Sequence, residues 1–457
     1  MERPPQRWDL LLLAAAGLIL VSAARIHSFV PGLELLRPGL LLALAGLGLL
    51  VLNYRGLRRI EHLKNPLGLL LGFLFVWALV TAPFGLYVGN SIRFTLESFG
   101  RTILVAVVIA TAIRDLHDLE RLLKVYALGA IGFAILGQGT SGFRDFGGGG
   151  YDPNDGAMFV VSAIPLVIFF LLRATTFRER ILFGFGLMAC ISGVVLSGSR
   201  GGFLALVAVT VFALIFMAGV RPVHRIGAVL AVLLVVTLQG TGEFWERVES
   251  TFDADDYNRH SVTGRYEIWG RGMDYVRENP ITGVGIQNFS VAEGQHPQIA
   301  EMIRRGQGIR YSAPHSVWVQ TAAELGTPGF LAFSGAFLLL FRFLWRPVRK
   351  QPNALGQAAR RSLDRSRGLT RAFLGGILGI MVAGSFLSMA YSPLLWVPFA
   401  IGLGAIKVYR KYATMLTPGD TPEVDLPGPE MLSPRNPAAS PLPASGVHHL
   451  LHFHRGT

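Results

Sequence analysis

Three short stretches of this sequence hold residue types that can do chemistry. In Ala313-Pro314-His315-Ser316, the histidine stands at the edge of an apolar run, and a neutral imidazole accepts a proton near pH 7, as general base catalysis requires. In Ser197-Gly198-Ser199-Arg200-Gly201-Gly202, Arg200 is flanked by glycines that let a ligand approach the backbone. A guanidinium there grips phosphate oxygens in a bidentate fork, or else it snorkels to lipid headgroups or caps a tight turn. In Thr263-Gly264-Arg265-Tyr266-Glu267-Ile268-Trp269, the residues from Tyr266 to Val276 have helical spacing, with Trp269, Met273 and Val276 on one stripe, and Asn279-Pro280 ends the run. Arg265 thus falls near a helix N-terminus, a place suited to anions, with an ion pair to Glu267 or Asp274 as the competing use.

Other residues read as support. Glu324 is nine positions after His315, about 13 Å along a helix and about half a turn out of phase, so the two are not expected to touch. Gly326 and Pro328 should break that helix, and Glu324 is expected to brace the break, because an ionisable group inside a membrane is costly and calls for a partner. Ser316 marks the start of the helix, and Gly283 and Gly285 in Pro280-Ile281-Thr282-Gly283-Val284-Gly285 read as a tight turn. The acidic groups Asp152/Asp155 and Asp253/Asp255/Asp256 have no evident coordination geometry; they read as solvated loop acids or, for the first, an Asx turn that starts a helix, and no metal site is expected. Arg93, Arg101, Arg144, Arg247 and Arg310 would suit diphosphate recognition, although lysine is scarce throughout the chain.

What must position these residues is a membrane domain. The chain has 457 residues, 51% hydrophobic and 16% charged, with a mean hydropathy of +0.46, too apolar for a soluble protein of this length. Apolar runs at about 10–24, 38–53, 66–83, 99–113, 122–137, 156–172, 181–197, 202–220, 226–240, 316–341, 372–390 and 393–408 predict about twelve transmembrane helices. Alternate loops hold the basic residues: Arg55, Arg58, Arg59 and Lys64; Arg114, Arg121 and Lys124; Arg173, Arg178 and Arg180; Arg221 and Arg225; and a cluster from Arg342 to Arg371. By the positive-inside rule both termini are cytoplasmic and the first segment is a retained helix, not a cleaved signal peptide. The net charge of +13 is then loop charge, and no nucleic acid is expected as partner. The single cysteine, Cys190, lies in an apolar run and serves packing.

One domain, 1–413, is expected, with a large non-cytoplasmic loop at 241–314 between the ninth and tenth helices. From about residue 414 the chain is rich in Pro, Ala, Ser and Gly and reads as a disordered cytoplasmic tail to 457, whose His448, His449, His452 and His454 carry no specific role.

Ser-Gly-Ser-Arg-Gly-Gly after a mid-chain helix, Thr-Gly-Arg with a nearby Trp, Pro-Ile-Thr-Gly-Val-Gly with Asn-Phe, and Pro-His-Ser ahead of Glu-Leu-Gly resemble, in order and spacing, the bacterial O-antigen ligase and O-antigen polymerase superfamily. The resemblance covers about residues 66–405 and is strongest from Ser197 to Gly329. It implies an all-α polytopic fold like that of C-type glycosyltransferases in the bacterial inner membrane, with a periplasmic active site. The implied enzyme takes a glycan en bloc from undecaprenyl diphosphate, with no cofactor, nucleotide sugar or metal, and transfers it with inversion to a hydroxyl of lipid A core, a glycan or a protein. Carried over by motif, Arg200 and Arg265 bind the donor diphosphate and His315 is the base. A polymerase or a protein O-oligosaccharyltransferase of the same superfamily is the near alternative. A transporter or flippase predicts mid-membrane charge and repeated halves, and this sequence shows few of the former and no evident repeat.

Overall fold

In lipid, an apolar run must satisfy its own backbone, and the helix does so within one segment. In the computed structural model, which describes residues 8–30, 32–52, 60–139, 152–216, 222–240, 242–249, 261–307, 312–345 and 357–415, the elements are all helical. Helix α1 (Leu10–Ser22) and α2 (Pro38–Leu52) precede α3 (Pro66–Thr81). A continuous rod follows, made of α4 (Val88–Phe94), a π-helical turn at Thr95–Phe99 and α5 (Gly100–Ala112). Next come α6 (Leu116–Gly139), α7 (Pro153–Arg173), α8 (Phe177–Leu196), α9 (Arg200–Phe216) and α10 (Pro222–Gln239). Four short helices, α11 (Gly242–Glu249), α12 (Arg265–Glu278), α13 (Phe289–Gln295) and α14 (Pro297–Arg304), occupy the expected large loop. The chain closes with α15 (Val317–Trp345), α16 (Gln357–Gly384) and α17 (Pro393–Met415).

Six described stretches are long and apolar enough to cross a membrane: Leu33–Leu52, Pro66–Phe84, Val88–Ala112, Pro153–Arg173, Phe177–Leu196 and Val317–Trp345. Leu10–Ser22, Arg200–Phe216 and Pro393–Tyr409 are apolar but shorter. The remaining expected segments fall on α6, α10 and α16. The protein is therefore a polytopic helical membrane protein.

Two boundaries differ from the sequence expectation. The segment expected at 99–113 begins at Val88, because hydroxyls in its polar first half are satisfied at home: Thr95 Oγ1 donates to the Ser91 carbonyl at 2.7 Å. The segment expected at 372–390 stops at Gly384. Pro393 disfavours helix in the residue before it, and Ser385 to Ser392 form an irregular link instead.

Close packing rests on small residues, as it does wherever helices meet without water to expel. A side chain at Gly376 would meet the Ser162 carbonyl at 2.3 Å, and one at Gly379 the Val209 side chain at 2.9 Å, so α16 lies directly against α7 and α9. Helix α17 approaches α15 in the same way, Gly402 facing Leu340 at 2.6 Å. Helix α1 is part of this core, with Leu12 and Leu18 fully buried.

The two ends of the bundle differ chemically. One end gathers ion pairs between helix termini: Arg114 with Asp118 and Asp9, Lys124 with Glu179 at 3.2 Å, and Arg365 with Glu120. The other end carries the start of α9, the start of α15 and the link 385–392. The chain divides into two units, Met1–Ala413 and Thr414–Thr457. Residues 416–457 with the tail histidines, Asp253 to Asp256, Arg144, Arg310, Arg55 to Arg59 and Arg221 lie outside the described residues.

Candidate active site

The turn between α8 and α9 uses every residue of its motif. Ser197 Oγ accepts from the Ser199 N–H at 3.1 Å, Gly198 takes a left-handed φ of 60°, and Ser199 Oγ accepts from the Gly202 N–H at 3.0 Å, capping α9. Capping therefore falls to Ser199, and Arg200 stands in the first helical turn, half-buried. Added side chains at Gly201 and Gly202 would meet Phe386 at 3.0 Å and Ala157 at 2.7 Å. The glycines thus seat the start of α9 against α7 and the link 385–392.

Arg265 is the first residue of α12, behind Gly264, which makes no side-chain cap. Its guanidinium lies 5.8 Å from the Phe386 ring centroid, while Asp274 pairs with Arg277 at 2.6 Å. One aromatic ring thus borders both the start of α9 and the Arg265 guanidinium, and the Trp269 ring packs 6.5 Å from the same Phe386.

His315 sits on a constrained backbone. Its φ is 44°, a conformation that costs a non-glycine residue about 1–2 kcal/mol. Two bonds impose it: the Trp269 indole donates to the Pro314 carbonyl at 2.8 Å, and the His315 N–H donates to Ser388 Oγ at 2.8 Å. Burial, then the positive charge of Arg265, holds the imidazole below its usual pKa of 6.5, against a smaller upward pull from Asp152. Arg265 and Asp152 therefore both lie within electrostatic reach of His315, with the start of α9 across Phe386 from Arg265.

The other expected residues position this group. Asp152 and Asp155 form a capping box on α7, Asp152 Oδ1 accepting from Asn154 N at 2.8 Å and Asp155 N at 2.9 Å. Ser316 is buried and accepts from Val319 N at 3.5 Å at the start of α15. Helix α15 breaks at Gly326 (φ 68°, ψ −174°), and the freed carbonyls are taken up from outside the helix. Ala323 accepts from Val284 N at 2.8 Å, Glu324 from Gly285 N at 3.0 Å, and Leu325 from the Trp77 indole at 2.8 Å. Gly283 and Gly285 have φ of 64° and 93° and no room for a side chain, Gly283 facing the Glu324 backbone at 2.5 Å. Glu324 Oε1 accepts from Phe289 N at 3.2 Å, so it caps α13 and braces the break.

Reasoning from sequence missed the link 385–392 and a buried cluster in which Arg271 clasps Glu293 at 2.9 and 2.6 Å and Tyr275 donates to the same carboxylate at 2.9 Å. The second locks α12 to α13. Ser388→Ala should leave the His315 N–H unpaired, cost about 1 kcal/mol, and slow transfer while Ser388→Thr retains it. Equal initial rates for all three would remove Ser388 from any positioning role.

Residues 185–334 match the O-antigen ligase family, a stretch that runs from within α8 to within α15 and takes in Arg200, Arg265 and His315. That stretch is similar to the O-antigen ligase family, a likeness that supports a glycosyl-transferring activity. No curated protein matches the chain.

Proposed function

We propose that this protein is a periplasmic glycan ligase that moves a glycan en bloc from undecaprenyl diphosphate to a hydroxyl of lipid A core or a comparable acceptor. The observation that carries the reading is the cluster in which His315, on its constrained backbone and with its N–H bonded to Ser388 Oγ, lies within electrostatic reach of the arginine at the start of α12. In the reaction, His315 takes the proton of the acceptor hydroxyl as its oxygen bonds to the anomeric carbon. The bond from that carbon to the diphosphate breaks, and the electron pair leaves with the diphosphate, whose charge Arg200 and Arg265 neutralise. Inversion follows from attack opposite the leaving group. Such charge stabilisation in a partly dry site contributes several kcal/mol. The ion pairs at the opposite end of the bundle support a cytoplasmic placement of that end and of both termini.

The test is reconstitution of the purified protein with an undecaprenyl-diphosphate glycan and lipid A core. The expected product is acceptor bearing the intact glycan, with free undecaprenyl diphosphate. Donor glycans joined to one another without acceptor would instead make the protein a polymerase, and undiminished transfer by Arg200→Ala and Arg265→Ala would overturn the site.

The pH dependence is fixed by sign. Transfer needs neutral His315, so kcat/KM rises with pH and levels off, with its inflection below 6.5 because burial and Arg265 depress the imidazole. Arg265→Gln removes a lowering charge and moves the inflection up, while Asp152→Asn removes a raising one and moves it down. An inflection indifferent to both would detach the rate from His315.

A further inference from the structure

The Arg271–Glu293 pair borders a small apolar cluster set apart from the main core, with Ile268, Tyr275, Val284, Phe289 and Ala292. Arg271 is 4% exposed and Glu293 0%. The carboxylate takes two hydrogen bonds from Arg271 and one from Tyr275. A buried pair of this kind seldom adds stability over an apolar pair of the same volume. Gly272 already seats α12 on α15 and α13, since a side chain there would meet Val319 at 2.5 Å and Phe289 at 3.2 Å. Holding the helices together therefore does not account for the charges. Arg271 has a further contact that no apolar side chain could make: its Nη1 donates to the Val262 carbonyl at 2.9 Å. Val262 belongs to the turn 261–264, closed by the Gly264 N–H on the Ser261 carbonyl at 2.7 Å, and that turn delivers the chain to Arg265, the first residue of α12.

We propose that Arg271 is a positioning residue for donor binding: anchored on Glu293, it grips the Val262 carbonyl and so sets where Arg265 stands at the head of α12. The inference rests on the ligase reading above, in which Arg265 takes the diphosphate, and deepens it. Gly264 supplies no side-chain cap to fix the entry of the chain into α12; Arg271 reaches back from the second turn and does so. The planar fork makes this possible, because Nε and Nη2 stay on Glu293 while Nη1 turns to Val262. A lysine ammonium, with its donors on one atom, holds the carboxylate but lacks the spread to hold the carbonyl as well. Recognition of a diphosphate by a guanidinium depends on orientation as well as charge. A turn released at Val262 therefore takes Arg265 off the diphosphate while leaving it charged.

The experiment uses the full-length protein in nanodiscs as wild type, Arg271→Lys, Arg265→Gln and the two substitutions together. Undecaprenyl diphosphate is the binding probe and its glycan-bearing form the donor. Arg271→Lys should weaken probe binding and raise donor KM, each about tenfold, with acceptor KM constant, and Arg265→Gln should do at least as much. The combined variant should be no worse than Arg265→Gln alone, because a residue that acts through Arg265 then has nothing left to act on. Additive losses, a raised acceptor KM, or donor binding untouched by Arg271→Lys would overturn the inference. A second variant, Arg271→Met/Glu293→Gln, strands no charge and leaves Tyr275 an acceptor. It should unfold like wild type yet bind the probe as poorly as Arg271→Lys; a lowered unfolding temperature with probe binding retained would also overturn the inference. Coupled losses of probe binding in a protein that transfers no glycan would sink the ligase reading and keep the positioning role, whereas transfer with additive losses would do the reverse. A wild type that neither binds the probe nor transfers glycan would remove both.

Discussion

His315→Asn is expected to lower the rate of glycan transfer by about 10² to 10⁴, the usual contribution of a positioned general base, with no loss of folded protein. Asparagine is the informative replacement because it tolerates the left-handed backbone that His315 adopts at φ 44°. The bonds from Trp269 to the Pro314 carbonyl and from the His315 N–H to Ser388 use backbone atoms that asparagine also has. What it lacks is a nitrogen that takes up a proton at neutral pH. Initial rates at saturating donor, set beside thermal unfolding of the same preparation, separate the two effects. A variant that unfolds like wild type and transfers like wild type removes His315 from the chemistry.

Gly326→Ala is expected to abolish the folded protein. The φ of 68° with ψ of −174° belongs to a region that is essentially glycine's own. An added Cβ would stand 2.2 Å from the Ile281 carbonyl oxygen and 2.5 Å from its carbon, so the backbone at 281–283 must move. That movement breaks the bonds from Val284 N and Gly285 N to the Ala323 and Glu324 carbonyls and strands those carbonyls where no water replaces them, at about 1–3 kcal/mol each. Against a total stability of about 5–15 kcal/mol the sum is large. Yield of detergent-extracted monomer and unfolding temperature report it, and Pro328→Ala, which leaves the break itself intact, should be far milder. A normal unfolding temperature for Gly326→Ala would mean that the break does not fix the fold.

The helices were legible in the sequence because a membrane span writes itself as a long apolar run. The turn at 197–202 and the role of Glu324 were legible because their glycines, serines and proline have few uses at such spacing. The contacts of Arg265 were not: Phe386 is 121 positions away and sits in a stretch where Leu387, Met389, Ala390 and Tyr391 keep the hydropathy high, so the link reads as helix until the proline at 393 and its three serines are weighed. Arg271 and Glu293 escaped for a related reason. They are 22 residues apart on different helices, and a buried ion pair leaves no periodic trace in one chain. The shift of the imidazole is likewise a property of what surrounds it, not of its neighbours in sequence.

The break in α15 also bears on how the chain assembles. Three successive carbonyls of that helix find their partners in residues that precede it, Trp77, Val284 and Gly285. Ribosomal synthesis proceeds in that same order, so the donors exist before the acceptors are made. The break in α15 can therefore be satisfied as soon as that helix is made, by groups that need no later part of the chain.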